Sequence, residues 1–184
     1  MTDRFKFLEN NDIVPAWEPQ LKDGAAASDT SIVITLKNAD RVAFLLNVGA
    51  ITAGYTGRLE FYSCSAVDGS DAQLIEPIYF RQKDNDGSDT WGAAETITDG
   101  LFDFGAGGHC DVTEDDNSFI FEFEAQEIWQ EGYDGVGSDN HDCISAMMIT
   151  TNADGSDLYF NGTWILHPLR YSNDGTTSFD NRTD

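Results

Sequence analysis

The chain is short of positive charge. Its 184 residues include 10 Lys and Arg against 33 Asp and Glu, a formal net charge of −23 at pH 7. Nucleic-acid binding needs clustered Lys and Arg to neutralise phosphates, and attraction to an anionic membrane surface needs the same residues. We therefore expect neither nucleic acid nor membrane as a partner. The acid excess fits three other roles: solubility, divalent-cation binding in carboxylate-rich loops, or complementarity to a basic partner.

Long apolar runs and cysteines are also scarce. No run approaches the ~18 residues of a membrane-spanning helix. The N-terminal Met1-Thr2-Asp3-Arg4-Phe5 lacks the charged-then-apolar layout of a secretion signal, so we expect synthesis in the cytoplasm without export. The three cysteines, Cys64, Cys110 and Cys143, are widely spaced and are not typical of a disulfide framework.

A sustained helical period with caps is absent as well. Instead, about eight short segments rich in β-branched and aromatic residues lie between turns that contain Gly and Asp. In Ser118–Glu124 every second residue is Phe, and Arg41–Val48 is a nearly continuous apolar run, typical of a strand covered on both faces. The pattern predicts an all-β domain, a β-sandwich or jelly roll, over residues 31–172.

The ends of the chain differ from this domain. Residues 1–30 are predicted to form an N-terminal arm and linker, and residues 173–184 a polar tail. Proline fixes the backbone without donating a hydrogen bond, which suits an extended segment lying over a surface. The arm is either a partly ordered leader or a segment that docks on a neighbouring molecule. The side chains that would make that contact are Phe5, Phe7, Pro15, Trp17, Pro19 and Leu21.

One group of residues has the composition of a metal site. His109, Cys110, His141 and Cys143 together offer two imidazoles and two thiolates, the ligand set of tetrahedral zinc. Adjacent His109 and Cys110 cannot easily chelate together, so the spacing is unlike that of a zinc finger. Two other interpretations stay open: a Cys110–Cys143 disulfide formed in an oxidising medium, or buried cysteines with histidines in polar loops.

Signals for catalysis and cofactors are weak. The acidic loop Asp84–Asp89 fails the EF-hand spacing, because Gln82 and Ala93 stand where its first and twelfth positions would fall. A structural divalent cation elsewhere is the most that we expect as a cofactor. Nucleophile elbows, phosphate-binding loops and dinucleotide fingerprints do not occur, and carboxylate pairs arise by chance at this acid content. We expect no catalytic residues and no enzymatic activity.

The segment Asn38–Gly54 (NADRVAFLLNVGAITAG) is similar to a pattern common in structural proteins of tailed phages. There, an apolar strand ends in a Val-Gly-Ala-Ile-Thr-x-Gly turn. An alternating strand and an Asp-Gly-Ser turn follow, as in Arg58–Cys64 and Asp68-Gly69-Ser70 here. The similarity covers residues 31–75. The family pattern continues with Thr-Trp, whereas this chain has Asp71-Ala72.

The resemblance implies a capsid decoration (cement) protein or a related head-exterior protein, made in the host cytoplasm and located on the capsid exterior of the virion. Such a protein would bind the major capsid protein and stabilise the shell by bridging capsomers. Many weak contacts would act together, and a homotrimer would fit the local symmetry of a shell. The family carries no catalytic residues, so none is implied.

Two other functions remain open from the residues alone. One is an extracellular glycan-binding or adhesion module that uses calcium and Trp91, which follows the acidic loop and is either a core residue or a binding platform. The other is a small β-sandwich enzyme that uses a metal held by the His and Cys residues.

Overall fold

The computed structural model describes residues 11–22, 28–37, 39–83, 90–97, 99–110, 116–126, 128, 141–151 and 157–169. Regular structure in these residues is nearly all β. The strands are β1 (Asp12–Lys22), β2 (Ser28–Thr30), β3 (Ile34–Thr35), β4 (Ala39–Ile51), β5 (Gly57–Cys64), β6 (Gln73–Ile75), β7 (Tyr79–Lys83), β8 (Leu101–Phe104), β9 (Ser118–Glu124), β10 (Cys143–Thr150) and β11 (Leu158–Leu169). No helix in the described ranges has the length and apolarity that crossing a membrane would take.

The strands form two antiparallel sheets. The five-stranded sheet has the order β1-β11-β4-β9-β7, and the six-stranded sheet has β2-β10-β5-β6, with β3 added to β10 and β8 to β5. The pairings are nested along the chain: β1 with β11, β2 and β3 with β10, β4 with β9, and β5 with β8. Successive pairs alternate between the two sheets, which is the winding of a jelly roll. The predicted all-β sandwich is confirmed.

Aromatic rings fill the space between the sheets. Phe61 of β5 contacts rings on three strands of the opposite sheet, with centroid distances of 5.4 Å to Phe44, 5.1 Å to Phe121, 4.9 Å to Phe123 and 6.1 Å to Trp164. Burying a side chain of this size contributes about 1.5–3 kcal/mol. The alternation of Phe with Ile and Glu along β9 places its rings in this core, as the sequence pattern predicts.

The strand β4 packs against the core with one face only, whereas the prediction had both faces covered. Val42, Phe44 and Leu46 are buried in the core, whereas Ala43 and Leu45 between them are only half-buried. The expectation that both faces of this apolar run are covered is therefore wrong for the described part of the chain. The apolar residues of its second face lie on the outside of the five-stranded sheet.

The N-terminal arm is a strand over much of its length. β1 pairs with β11 from Asp12, opposite Leu166, to Lys22, opposite Leu158. Trp17 is 8% exposed and packs edge-on against Phe160, with 5.3 Å between centroids. A free arm is therefore wrong for these residues, because their pairing and packing make them part of the sandwich.

The prolines of β1 predict a free arm, but they are also compatible with an edge strand. β1 lies at the edge of the described sheet, and an edge strand tolerates proline because one row of its N–H groups needs no partner. Pro15 and Pro19 thus give the extended backbone that was expected, but within a sheet. Phe5, Phe7 and the predicted tail 173–184 lie outside the described residues.

Candidate functional site

The structure does not bring the predicted zinc ligands together. The backbone N–H of His109 donates to Asp103, whose cross-strand partner on β5 is Arg58. Cys143 instead lies opposite Cys64, the last residue of β5. The stretch from Arg58 to Cys64 is about 20 Å long at the usual rise of a strand. That separation rules out a metal shared by the two pairs, and equally a Cys110–Cys143 disulfide.

The other three predicted zinc ligands, His109, Cys110 and His141, each contact a different part of the fold. The imidazole of His141 and the hydroxyl of Ser63 share a 2.8 Å hydrogen bond, and both residues are buried. The ring of His109 stacks on Phe102 with 5.0 Å between centroids, and Cys110 is buried in the core. Among the residues that the structure describes, no group of three or more His, Cys, Asp and Glu side chains could hold a metal ion.

Cys143 has a cysteine partner that the sequence did not indicate. Cys64 lies directly opposite it across the antiparallel pair of β5 and β10, and both thiols are buried. The interaction between the two thiols lowers the pKa of Cys64 and raises the pKa of Cys143. The carboxylate of Asp142, 3.2 Å from the Cys143 sulfur, raises the pKa of Cys143 further.

The outer face of the five-stranded sheet carries an extended apolar surface. The strand register aligns two rows of side chains across all five strands, called here the outer rows. The first is Ile13, Ile165, Ala43, Glu122 and Tyr79, and the second is Pro15, Thr163, Leu45, Ile120 and Arg81. Ile13 is 44% exposed, and Leu45, Ile120 and Ile165 are half-buried. Four adjacent strands, β1, β11, β4 and β9, thus present aliphatic side chains to the outside.

Charges of both signs border this apolar surface at β9 and β7. The guanidinium of Arg81 lies 5.5 Å from the centre of the Tyr79 ring, and a hydrogen bond to Glu122 raises the pKa of Tyr79. Beside them, Arg41 forms a 3.5 Å ion pair with Glu124. The border is therefore close to charge balance, on a chain whose formal net charge is −23.

The outer face of the six-stranded sheet carries a polar network along β5. Arg58 forms a 2.5 Å ion pair with Glu60, which is 3% exposed, and Glu60 also accepts a hydrogen bond from the hydroxyl of Tyr62. Burial, together with the neighbouring carboxylate, raises the pKa of Tyr62 to about 12. A phenol held protonated by a buried carboxylate stabilises this face of the sheet.

Tyr62 is expected to make the fold sensitive to alkaline pH. Its pKa is raised from 10.0 to about 12, so its stabilising contribution is complete below pH 10.0 and is lost as the pH rises to about 12. The Tyr62→Phe variant should therefore lose less stability over that interval than the wild type. Urea unfolding between about pH 9 and about pH 12 measures this, with exposed Tyr159→Phe as the control. Parallel curves for wild type and Tyr62→Phe would contradict the assignment.

The other predicted residues have scattered positions. Pro15 belongs to the outer rows, and Leu21 on the same strand is 46% exposed. Trp17 is in the core and cannot make the contact predicted for it. Trp91 is 38% exposed, so the core interpretation was wrong for it, and the loop Asp84–Asp89 lies outside the described residues.

The described residues define a jelly-roll sandwich whose five-stranded sheet has an apolar outer face bordered by charges of both signs. No protein-family model matches the chain, and no curated protein matches it. The solved structures to which it is similar include the SPBc2 prophage-derived protein YomS, at 8% identity over 85% of this chain and 93% of that chain, with a TM-score of 0.33.

Two further similar structures are T=1 particles derived from infectious bursal virus and a mutant VP2 protein of infectious bursal disease virus, also in T=1 particles. Identities are 10% and 11%, TM-scores are 0.26 and 0.25, and the matches cover 90% and 92% of this chain but 40% and 42% of those chains. Similarity this remote carries no argument about function.

Proposed function

We propose that this chain is a virion structural protein that binds the outside of an assembled capsid and stabilises it by bridging capsomers. The observation that carries the proposal is the pair of outer rows, whose aliphatic side chains form an apolar surface over four of the five strands of a strongly acidic chain. A contiguous apolar patch at a protein surface favours an interaction site, and in this patch Ile13 is exposed while Leu45, Ile120 and Ile165 are half-buried. As proposed, the chain acts by binding and not by catalysis.

The chemistry of the outer rows favours a protein partner. Aliphatic side chains from β1, β11, β4 and β9 form the centre, and Arg41, Arg81, Glu122 and Glu124 form a charged border. This is the arrangement of a protein interface, an apolar centre with a polar rim. The partner is expected to dock on the face and not on the β1 edge, because Pro15 and Pro19 interrupt the row of N–H groups there.

The fold and the turns agree with the resemblance to tailed-phage structural proteins. Jelly rolls occur in viral capsid domains, although they also occur in lectins and cupins. Gly54, which closes the Val-Gly-Ala-Ile-Thr-x-Gly turn, has a φ of 91°, a conformation that favours glycine. In the Asp-Gly-Ser turn Gly69 has a φ of 80°, and the carboxylate of Asp68 accepts the N–H of Ser70 at 2.9 Å. The shared residues therefore meet backbone requirements of the turns.

Cosedimentation with expanded capsids of the parent virus tests the proposal. Wild type is expected to bind saturably, and the Leu45→Glu/Ile165→Glu double variant is expected to lose binding, because it places two buried charges at the apolar centre of the interface. Leu74→Glu is the matched control, since Leu74 is 46% exposed on the six-stranded sheet. Equal thermal unfolding midpoints for the three proteins establish that only binding differs.

Two results would overturn the proposal: no saturable binding by the wild type, or binding by the double variant as tight as that of the wild type. Cross-linking of the complex then tests whether the major capsid protein is the partner. Analytical ultracentrifugation of the free chain tests whether it is a homotrimer. Removal of residues 1–10 asks whether Phe5 and Phe7 contribute to the contact.

A further inference from the structure

A groove crosses the outer face of the five-stranded sheet at the Tyr159 end of β11. Two β-bulges open it, one on each side of that strand. On β4, Gly49 and Ala50 together lie opposite the single residue Tyr159, and on β1 two residues, Glu18 and Pro19, lie opposite the single residue Asn161. Bulges bend a strand and redirect side chains, and they are common beside binding sites. The resulting groove has a volume of about 550 Å³, within the usual size of a ligand site.

One side of the groove is apolar and exposed. Tyr159 and Leu21 are cross-strand neighbours, and their side chains are 50% and 46% exposed. Gly49 keeps the floor open, because a Cβ at that position would lie only 3.2 Å from the Cβ of Tyr159. The phenol ring of Tyr159 thus has an accessible surface against which a ligand can stack.

The other side of the groove carries aligned hydrogen-bonding groups. The Ser118 hydroxyl donates to the Asn47 side-chain oxygen at 2.8 Å, and the Asn47 side-chain N–H donates to the Asn161 oxygen at 2.9 Å. This chain of bonds fixes the orientation of the Asn161 amide. Within the described part of the chain, the Asn161 NH₂ group donates to no protein acceptor, and the carboxylate of Asp116 also lines the groove.

We propose that this groove binds a neutral oligosaccharide. A sugar ring presents C–H groups on its face, which stack on an aromatic ring, and hydroxyls at its rim, which suit a fixed amide donor and a carboxylate acceptor. The lining disfavours anionic ligands, because the described residues of the groove include Asp116 and neither Lys nor Arg. An extended peptide would add to an open sheet edge, but the groove lies over β11, which is paired on both sides. The site uses different residues from the outer rows and does not depend on the proposed virion role.

Nuclear magnetic resonance titrations with cellohexaose, maltohexaose and chitohexaose test the site, with hexagalacturonate as the anionic comparison. At least one neutral hexasaccharide is expected to shift the Asn161 side-chain N–H signals and the Tyr159 amide, and hexagalacturonate is expected to shift neither. Tyr159→Ala should weaken binding about tenfold by removing the stacking surface. Asn161→Ala should weaken it by a similar factor through loss of the fixed donor.

Leu74→Ala is the control for loss of an exposed apolar side chain elsewhere, and Trp91→Ala is the control for binding at the exposed tryptophan. Both are expected to bind as the wild type does, and a native spectrum verifies folding of every variant. The proposal is overturned if all three neutral saccharides leave the spectrum unchanged. It is equally overturned if Tyr159→Ala binds as well as the wild type, or if Trp91→Ala abolishes binding.

Discussion

Oxidation of the purified chain is expected to join Cys64 to Cys143 and to leave Cys110 a free thiol. Residues directly opposed in an antiparallel pair have Cα atoms about 4.5–5.5 Å apart, within the range of about 4.4–6.8 Å that a disulfide spans. The two thiols interact, since Cys143 lowers the pKa of Cys64. Both residues are buried, so reaction proceeds through local opening where β5 ends and β10 begins. Oxidised glutathione accepts the two hydrogens and leaves as two glutathione molecules.

The disulfide should have a large effect on stability. It closes a loop of about 80 residues, for which the entropy removed from the unfolded chain corresponds to about 4.5 kcal/mol. Intact mass, peptide mapping without reduction and urea unfolding measure the bond and its effect. Cys110→Ser should behave as the wild type, and Cys64→Ser should form no internal disulfide. A Cys110–Cys143 product, or oxidation without a gain in stability, would contradict the cross-strand geometry.

The fold class could be predicted because its signals are local. Alternation of Phe along Ser118–Glu124 and the turn residues around Asp68–Ser70 depend on neighbours a few positions away. The strand identity of Asp12–Lys22 could not be predicted in this way. Its hydrogen bonds go to β11, almost the whole chain away, and its prolines look locally like a free extended segment.

The candidate site could not be predicted, because it depends on how residues of neighbouring strands align, and the sequence alone does not determine that alignment. The apolar run Arg41–Val48 looks the same whether its second face is covered by protein or is left outside, since Ala43 and Leu45 are apolar in both cases. Likewise, nothing local pairs Cys64 with Cys143, because that contact follows from how β5 and β10 align. A usable signal was present in β11, where Tyr159, Asn161, Thr163 and Ile165 alternate with buried residues.

The Phe61→Ala substitution is expected to destabilise the fold by about 3–5 kcal/mol. Phe61 is fully buried, and its ring contacts four aromatic rings of the opposite sheet, so its removal leaves a cavity between the sheets. Rings fixed on rigid strands cannot move together to fill such a space, and the lost contacts are not recovered. Urea unfolding followed by tryptophan fluorescence measures the change, because Trp164 lies beside the cavity.

The control for that substitution is Tyr159→Ala, which removes a ring of similar size that is 50% exposed and should change stability by no more than about 0.5 kcal/mol. Phe61→Leu should fall between the two, because it retains part of the buried volume. A domain of this kind has about 5–15 kcal/mol of stability in total. Loss of this ring should therefore shift the midpoint of the single unfolding transition to lower urea concentration. Both sheets are affected, since Phe61 belongs to one sheet and all four of its partners belong to the other. A loss below about 1 kcal/mol would mean that the sheets are held together elsewhere.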